Sequence, residues 1–533
     1  MQIARIGEES AERYCADTVG AKAANLAHIA ALGLPVPPAF VLPIELCAAM
    51  ARGDAAAMQD LADGLTQGIR FLEHATGRLF GDCRRPLLVS VRSGAALSMP
   101  GMLDTVLDVG CTSAAVRGLI RMSGNPRFAY DCRRRFLESF GGVVLGIDPA
   151  AFAAERNALI AAEAVGSERA LDSEALERLA ASYERLVENE NRVLSEDATE
   201  QLKMAALAVF GSWLSDRART YRRLEHLEYL QGTAVTIQAM VFGNSGALSG
   251  SGVAFSRDPS TGAAKPVIDV LFESQGEDVV SGGHDPQTEE AVSRALPEAA
   301  GQLGEALQRL EADFRDVQDV EFTIENGKLW ILQTRSAKRT PLAALRLAID
   351  FVNEGRITPA EALQRLSGLD LSALVHKRLN VTQAPVGRGT GASAGIAIGR
   401  AAFDPAGAGR VAATGAAVIL LRPDIATADV AGFAVAAGIV TAVGGRTAHA
   451  ALVAREMAKP CIVGCAELLV DVARRCARLG AAVIKEGDWL SIDGEAGLIY
   501  RGRGESVAER PQAELAEVER WRHSLRSATS STS

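Results

Sequence analysis

The chain has 533 residues, 48% hydrophobic and 23% charged, with a formal net charge of −9 and a sequence pI near 5.5. Such a length accommodates about two to four domains with their own cores, and the acidic balance argues against a surface built for polyanions, so no nucleic-acid partner is expected. The opening Met-Gln-Ile-Ala-Arg leads into no apolar run, no window of about 20 apolar residues reads as a membrane span, and the eight cysteines (15, 47, 83, 111, 132, 461, 465, 476) form no CxxC pair, so a cytoplasmic protein with reduced, mostly buried thiols is expected.

Residues 1–112 mix short helices and strands: Gly33-Leu34-Pro35-Val36-Pro37-Pro38 breaks the first helix and leads into an apolar strand at 39–42. Residues 113–230 are rich in Arg, Glu, Ala and Leu at helical spacing; Ser173-Glu174-Ala175-Leu176-Glu177 reads as a capped helix start, with Leu176, Leu179, Tyr183 and Leu186 as its buried stripe. Residues 231–340 alternate like strands, as in Thr233-Ala234-Val235-Thr236-Ile237-Gln238. A helical connector follows over 341–385, where Leu342, Leu345, Ile349 and Val352 share a face and Thr358-Pro359-Ala360-Glu361 is a capping box. The glycine-rich stretch 383–394 reads as a hinge into a compact α/β unit spanning 386–505, and 506–533 as one polar helix (about 512–525) with a disordered Ser/Thr tail.

The most informative run is Gly444-Gly445-Arg446-Thr447-Ala448-His449-Ala450-Ala451-Leu452-Val453-Ala454-Arg455. Two glycines open a turn, Thr447 is placed to cap the following helix, and His449 falls in its first turn. A helix N-terminus carries unpaired N–H groups and a partial positive charge, so an imidazole there is set to accept a phosphoryl group. The bland alternative is a glycine turn into a buried Ala/Val helix with an incidental histidine.

Two signals lie upstream. Gly243-Asn244-Ser245-Gly246-Ala247-Leu248-Ser249-Gly250-Ser251-Gly252 joins two apolar strands, either as a backbone wrap for phosphates or as a hairpin loop. Asp319-Val320-Glu321 through Gln333-Thr334-Arg335 brackets Asn326-Gly327, a strong hairpin signal. A two-residue turn puts Glu321 and Gln333 on opposite faces; a three-residue loop, 325–327, puts them on one face, where both offer oxygen to Mg²⁺. The three-residue loop with a bulge at Gly327 is predicted; the alternative role for both side chains is a solvent-facing edge.

The run from Gly444 through Arg455 and on to Lys459-Pro460-Cys461-Ile462-Val463-Gly464 resembles the phosphohistidine domain of the PEP-utilising dikinases, the family of pyruvate phosphate dikinase and PEP synthase. Gly20-Ala21-Lys22-Ala23, Val91-Arg92-Ser93-Gly94-Ala95 through Ser98-Met99-Pro100-Gly101-Met102, Gly211-Ser212-Trp213 through Arg217-Ala218 and Gln275-Gly276-Glu277-Asp278 join the loop and hairpin above in resembling that family's nucleotide-binding region, in order, over nearly all of residues 15–505. Where the family has Gly-Gly-Lys-Gly this chain has Gly20-Ala21-Lys22-Ala23, and where it has Met-Thr-Ser-His this chain has Arg446-Thr447-Ala448-His449.

The resemblance implies a multidomain α/β (α+β) protein: an ATP-grasp-like region formed by lobes 1–112 and 231–340 with the helical insertion 113–230, the connector, and a small swivelling phosphohistidine domain. It implies that His449 carries phosphoryl taken from Mg-ATP. Lys22, Arg92 and Arg335 would contact phosphate, under a loop including Ser249, Gly250, Ser251 and Gly252; Gln238, Glu277 and Asp278 would line the adenosine side; Glu321 and Gln333 would bind Mg²⁺; and Thr447 is a candidate regulatory position. Lys and Arg offset the charge on transferring phosphoryl oxygens, although Lys22 or Arg92 taken alone reads first as a solvated surface charge. The family's PEP/pyruvate barrel does not fit in the roughly thirty residues after the His domain, so a separate barrel subunit or acceptor protein is expected, with phosphate as a further ligand and homo-oligomerisation open. Two alternatives stand beside this: a self-contained phosphotransferase for another small acceptor, and a non-catalytic regulatory ATP-binding homologue.

Overall fold

A computed structural model describes residues 2–7, 13–97, 99, 102–281, 286–424 and 430–530. They form two compact units, 1–249 with 324–333, and 250–323 with 334–533. Mixed α/β structure runs through both, and no helix among the described residues is long and apolar enough to cross a membrane. Among the described residues all eight cysteines are unpaired and five are buried; Cys15 and Cys83 are exposed.

The first unit is built on a five-stranded antiparallel sheet in the order Ala4–Ile6, Ala39–Leu42, Ala234–Ala239, Val89–Gly94, Thr105–Val109. Six α-helices between Ser113 and Leu224 pack with it into one apolar core. One of these helices starts at Ser173, but its cap is Asp172, whose carboxylate accepts the Ala175 N–H at 2.8 Å. The expected cap therefore moves by one residue, because the acid reaches the third N–H and leaves Ser173 inside the first turn. Leu176, Leu179 and Tyr183 are buried as the spacing required, and Leu186 is half-buried beside Val187.

The second unit holds a four-stranded sheet, Lys328–Ser336, Gln318–Glu325, Gly250–Phe255, Val267–Phe272; the tip of its outer hairpin, 324–333, belongs to the first unit. Helices Gly276–Ser281, Glu289–Ala295 and Pro297–Phe314 interrupt what reads in sequence as continuous strand alternation. The last of them carries the 3.6-residue repeat Leu303, Ala306, Leu307, Leu310 on its buried face. Over 341–366 the capping box forms as expected, with the Thr358 hydroxyl accepting the Glu361 N–H and Glu361 accepting the Thr358 N–H. Leu342 and Leu345 are buried, while Ile349 and Val352 are half-buried. The C-terminal helix runs Gln512–Ser530 and buries Val518 and Trp521 against this connector; residues 531–533, the end of the expected tail, lie outside the described residues.

The remaining sheet has eight strands, in the order Gly387–Arg388, Leu498–Arg501, Trp489–Asp493, Ile396–Ala402, Val418–Arg422, Gly438–Thr441, Cys461–Val463, Thr390–Ser393. Its central run from Ile396 to Val463 is parallel and reads as nearly unbroken apolar residues because both faces are covered. The glycine-rich segment expected to be a hinge is instead woven into this sheet. A Cβ at Gly389 would lie 2.6 Å from the Val463 carbonyl oxygen and one at Gly391 2.4 Å from that of Glu495, so these glycines permit close strand approach rather than rotation. The chain enters and leaves this sheet through an exposed ribbon, His376–Asn380 antiparallel to Glu505–Glu509.

Candidate functional site

His449 is the first residue of the helix His449–Glu456. Gly444, at φ +108°, turns the chain out of the Gly438–Thr441 strand toward it. The residue capping the helix is Ala448, which has no side chain to give, so the expected cap by Thr447 does not form. Thr447 turns instead to Asp269 in the Val267–Phe272 strand: its backbone N–H and its hydroxyl both donate to Asp269 Oδ2, at 2.9 and 3.0 Å. Thr447 stands one residue before the cap position, and its hydroxyl donates across to the buried Asp269 carboxyl. The loop is tight here, with a Cβ on Gly445 falling 2.4 Å from Asp269 Oδ2 and 2.3 Å from Pro286 Cγ.

Burial raises the Asp269 carboxyl above its ordinary range, against the Thr447 bonds and the Arg446 and Arg455 charges. Its ionised form is therefore disfavoured in the folded state, and the cost grows as pH climbs from the ordinary carboxylate range through the raised value. Asp269→Asn keeps an acceptor and removes the charge, so its melting temperature should exceed the wild type's at pH 8 and converge with it toward pH 4. Parallel melts across that range test the sign.

His449 Nε2 is buried and has no hydrogen-bond partner among the described residues. Arg455, on the same helix, is 1% exposed; its Nη1 donates to the Arg446 and Ala392 carbonyls at 2.8 and 2.9 Å, and its Nε and Nη2 have no hydrogen-bond partner among the described residues. A cavity of about 530 Å³ opens beside Gly445 and Arg446, lined also by Lys265 and Asp269; His449 is not among its lining residues.

The hairpin corrects one expectation and keeps its consequence. Asn326 (φ 50°) and Gly327 (φ 82°) form a two-residue turn of the I′ kind between strands ending at Glu325 and starting at Lys328, not a three-residue loop. That turn sets Ile331 beside Phe322 on one face. Further down, Ala337 N–H bonds the Val317 carbonyl and the Thr334 hydroxyl donates to Gln318 Oε1, which puts Thr334 on the same face as Ile331. Two residues separate Ile331 from Thr334 where a regular strand has one, so a bulge at 332–333 lies opposite Glu321 and returns Gln333 to its face. Arg335 Nε bonds Asp319 Oδ2 at 2.7 Å on that face, and Asp319 Oδ1 is buried without a partner. Burial raises the Asp319 carboxyl despite Arg335.

In the first unit, Arg92 pairs with Thr236 and Ser90 with Gln238, so Arg92 and Gln238 lie on one sheet face. Arg92 is half-buried with no ion pair or hydrogen bond among the described residues, and the Thr236 hydroxyl is buried and unpartnered. Gln238 donates to the Pro37 carbonyl at 3.3 Å. Lys22 is exposed in the first turn of the helix Ala21–Ala31; Gly20 before it, at φ +82°, would place a Cβ 2.1 Å from the Gly94 carbonyl. Gly20→Ala should therefore cost about 2 kcal/mol or more of stability, from the strained φ and the clash together; a denaturant midpoint unchanged from wild type would refute that. The Ala23 methyl is buried in the helix's packed side.

The loop before the Gly250–Phe255 strand is not a hairpin: it leaves one sheet and enters another. It is held at both ends, by Asn244 Nδ2 to Asp131 Oδ2 at 2.7 Å and by the Asn326 N–H to Ser249 Oγ at 2.9 Å. Gly250, Ser251 and Gly252 lie within the strand, where the Ser251 hydroxyl meets the Thr323 hydroxyl at 3.0 Å and a Cβ on Gly252 would strike the Phe322 ring. Glu277 is exposed, whereas Asp278 is buried and accepts from the Ser274 hydroxyl and the Gln275 N–H at the start of its own helix. Sequence reasoning gave no role to Asp269, Asp319 or Arg455. One signal was available for Asp269, a single acid in the apolar run Val267-Ile268-Asp269-Val270-Leu271.

Two family profiles match: the AMP/ATP-binding domain of pyruvate phosphate dikinase, over residues 57–299 and 288–350, and the mobile domain of PEP-utilising enzymes, over 415–497. Curated relatives include pyruvate, phosphate dikinase 2 of Zea mays, 39% identical over 93% of this chain and 57% of the relative. Pyruvate, phosphate dikinase of Clostridium symbiosum is 40% identical over 91% of this chain and 56% of that protein. The chain thus spans somewhat over half the length of the curated relatives it matches. With profiles and relatives in agreement across both units, the chain belongs to the pyruvate phosphate dikinase family.

Proposed function

We propose that this chain is an ATP-dependent phosphotransferase that loads phosphoryl from Mg-ATP onto His449 for delivery to pyruvate, PEP or another acceptor. The observation that carries the reading is the imidazole itself, at a helix N-terminus with a buried, unpartnered Nε2. Nε2 attacks the β-phosphorus; the N–P bond forms, the bond to the AMP oxygen breaks, AMP leaves, and the γ-phosphoryl passes to phosphate or water. Lys22 and Arg92 hold the phosphates, Arg335 contacts them under Ser249 and the strand residues Gly250, Ser251 and Gly252, and Gln238, Glu277 and Asp278 line the adenosine side. The unpaired, half-buried Arg92 supports its part in this.

Among the described residues no group of three or more His, Cys, Asp or Glu is placed to hold a metal ion. Mg²⁺, however, takes one or two protein oxygens and completes its shell with phosphates and water. Glu321 and Gln333 on one hairpin face, beside the unpartnered Asp319 Oδ1, fit that demand. When bound, the ion offsets charge on the phosphate oxygens. Glu321→Ala should lower phosphoryl capture by about a hundredfold, in line with the loss of one transition-state contact, with partial recovery at high Mg²⁺; capture at the wild-type rate would remove Glu321 from the site.

Delivery needs the phosphohistidine domain to swing. The ribbon of His376–Asn380 and Glu505–Glu509 is the place for that motion, being exposed and only two strands wide. The acceptor site is supplied by sequence outside the matched region, on this or a separate polypeptide. ATP labelled at the β or γ position, followed by assay of acid-labile protein label, tests the whole reading. Label from the β position alone supports it; label from γ alone replaces it with an ordinary histidine kinase reaction.

A further inference from the structure

The Arg455 guanidinium is almost fully enclosed, yet two of its donor nitrogens, Nε and Nη2, meet no acceptor and it forms no ion pair among the described residues. Its two hydrogen bonds both run from Nη1 to carbonyls, one of them Arg446, three residues before His449. The ring of Phe255 lies 5.1 Å from its Cζ. Burial pushes its pKa down to about 10, against the field of Asp319 first among the nearby acids, so it stays cationic at neutral pH. An enclosed cation with idle donors is costly unless an anion completes it. The atom on the same short helix that is likewise buried and idle is His449 Nε2.

We propose that Arg455 is the counter-ion of the phosphoryl group carried on His449, its Nε and Nη2 taking phosphoryl oxygens once the N–P bond has formed. The inference rests on His449 as the phosphoryl carrier. A guanidinium suits the task because its planar fork offers two parallel donors to phosphate oxygens. Its grip on the Arg446 carbonyl also fixes the loop that aims the imidazole. Unloaded, the guanidinium feels the field of Asp319, Asp258 and Asp269 but two of its donors stay idle; loaded, phosphoryl oxygens take those donors, which favours the phosphorylated carrier over the free one.

Potassium phosphoramidate loads histidine without ATP, so it separates this inference from the nucleotide reading. Wild type, Arg455→Lys and Arg455→Met, each checked by thermal melt, are loaded and followed by ³¹P NMR as pH is varied. Removing an adjacent guanidinium should raise the phosphoryl titration midpoint by about one unit in Arg455→Met, with Arg455→Lys close to wild type. A merely structural arginine leaves that midpoint unchanged, and an unchanged midpoint in both variants overturns the proposal. Should Arg455→Met not fold, Arg455→Lys carries the test through the ³¹P chemical shift at pH 8: a moved resonance supports direct contact and an unmoved one overturns it. Wild type that takes phosphoramidate label at His449 and shows the expected shifts, but takes none from ATP, upholds the counter-ion and sinks only the ATP reading. Wild type that no phosphoryl donor loads at His449 overturns both.

Discussion

His449→Ala should abolish acid-labile phosphoryl label from ATP while leaving ATP affinity within about twofold of wild type, a change of about 0.4 kcal/mol where a tenfold loss is about 1.4 kcal/mol. The reason lies in the division of labour within the chain. Of the proposed nucleotide contacts, Lys22, Arg92 and Gln238 lie on a helix and sheet of the first unit, and Glu277, Asp278 and Arg335 on elements of the second other than the helix that His449 starts. The side chain lost is a partly buried imidazole whose Nε2 has no hydrogen-bond partner among the described residues, so its removal breaks no hydrogen bond there. Equilibrium ATP binding by calorimetry and label capture on the same preparation check the two halves together. Label persisting on a histidine in the variant would remove His449 from the mechanism altogether.

Gly445→Ala should be almost as damaging to capture, by a different route. Its added methyl would fall 2.4 Å from Oδ2 of the buried Asp269 and 2.3 Å from Cγ of the half-buried Pro286. The loop must then withdraw, and both bonds from Thr447 to Asp269 lengthen or break. Contacts of that closeness cannot be relieved by a side-chain rotation, and overpacking of this kind costs about 1–3 kcal/mol. Positioning errors near 1 Å cost on the order of a hundredfold in rate. The expected outcome is therefore a capture rate down about a hundredfold, with a melting temperature lowered by a few degrees. Gly409→Ala, in the same domain where a Cβ would meet nothing within 4 Å, is the control and should behave as wild type. Equal capture by Gly445→Ala and the control would show that the Thr447–Asp269 contact plays no part in loading.

Much of the fold could be read from spacing alone. The Thr358 capping box, the buried Leu176, Leu179 and Tyr183, and the histidine in a helix's first turn are local features, set by residues within one or two turns of each other. The helices between Gly276 and Phe314 were missed in a segment whose flanking strands dominated the pattern. The glycines at 387–395 were misread as a hinge because a glycine that allows rotation and one that allows two strands to touch look the same in sequence.

By itself the sequence determined the family, the order of its nucleotide-binding and phosphohistidine regions, and the candidate carrier, because those depend on residue types in linear order. The tertiary structure alone decided which side chains answer one another across hundreds of positions. Thr447 gives its hydroxyl to Asp269, 178 residues away, instead of capping its own helix, because the helix starts one residue later than the spacing suggests and Ala448 takes the cap position. The face shared by Glu321 and Gln333 comes from a bulge at 332–333, which no turn residue announces, and not from the loop at 325–327. Arg455 is a motif residue in the sequence. Only its burial, with two donors idle among the described residues and a third nitrogen on the Arg446 carbonyl, sets it apart from a surface arginine.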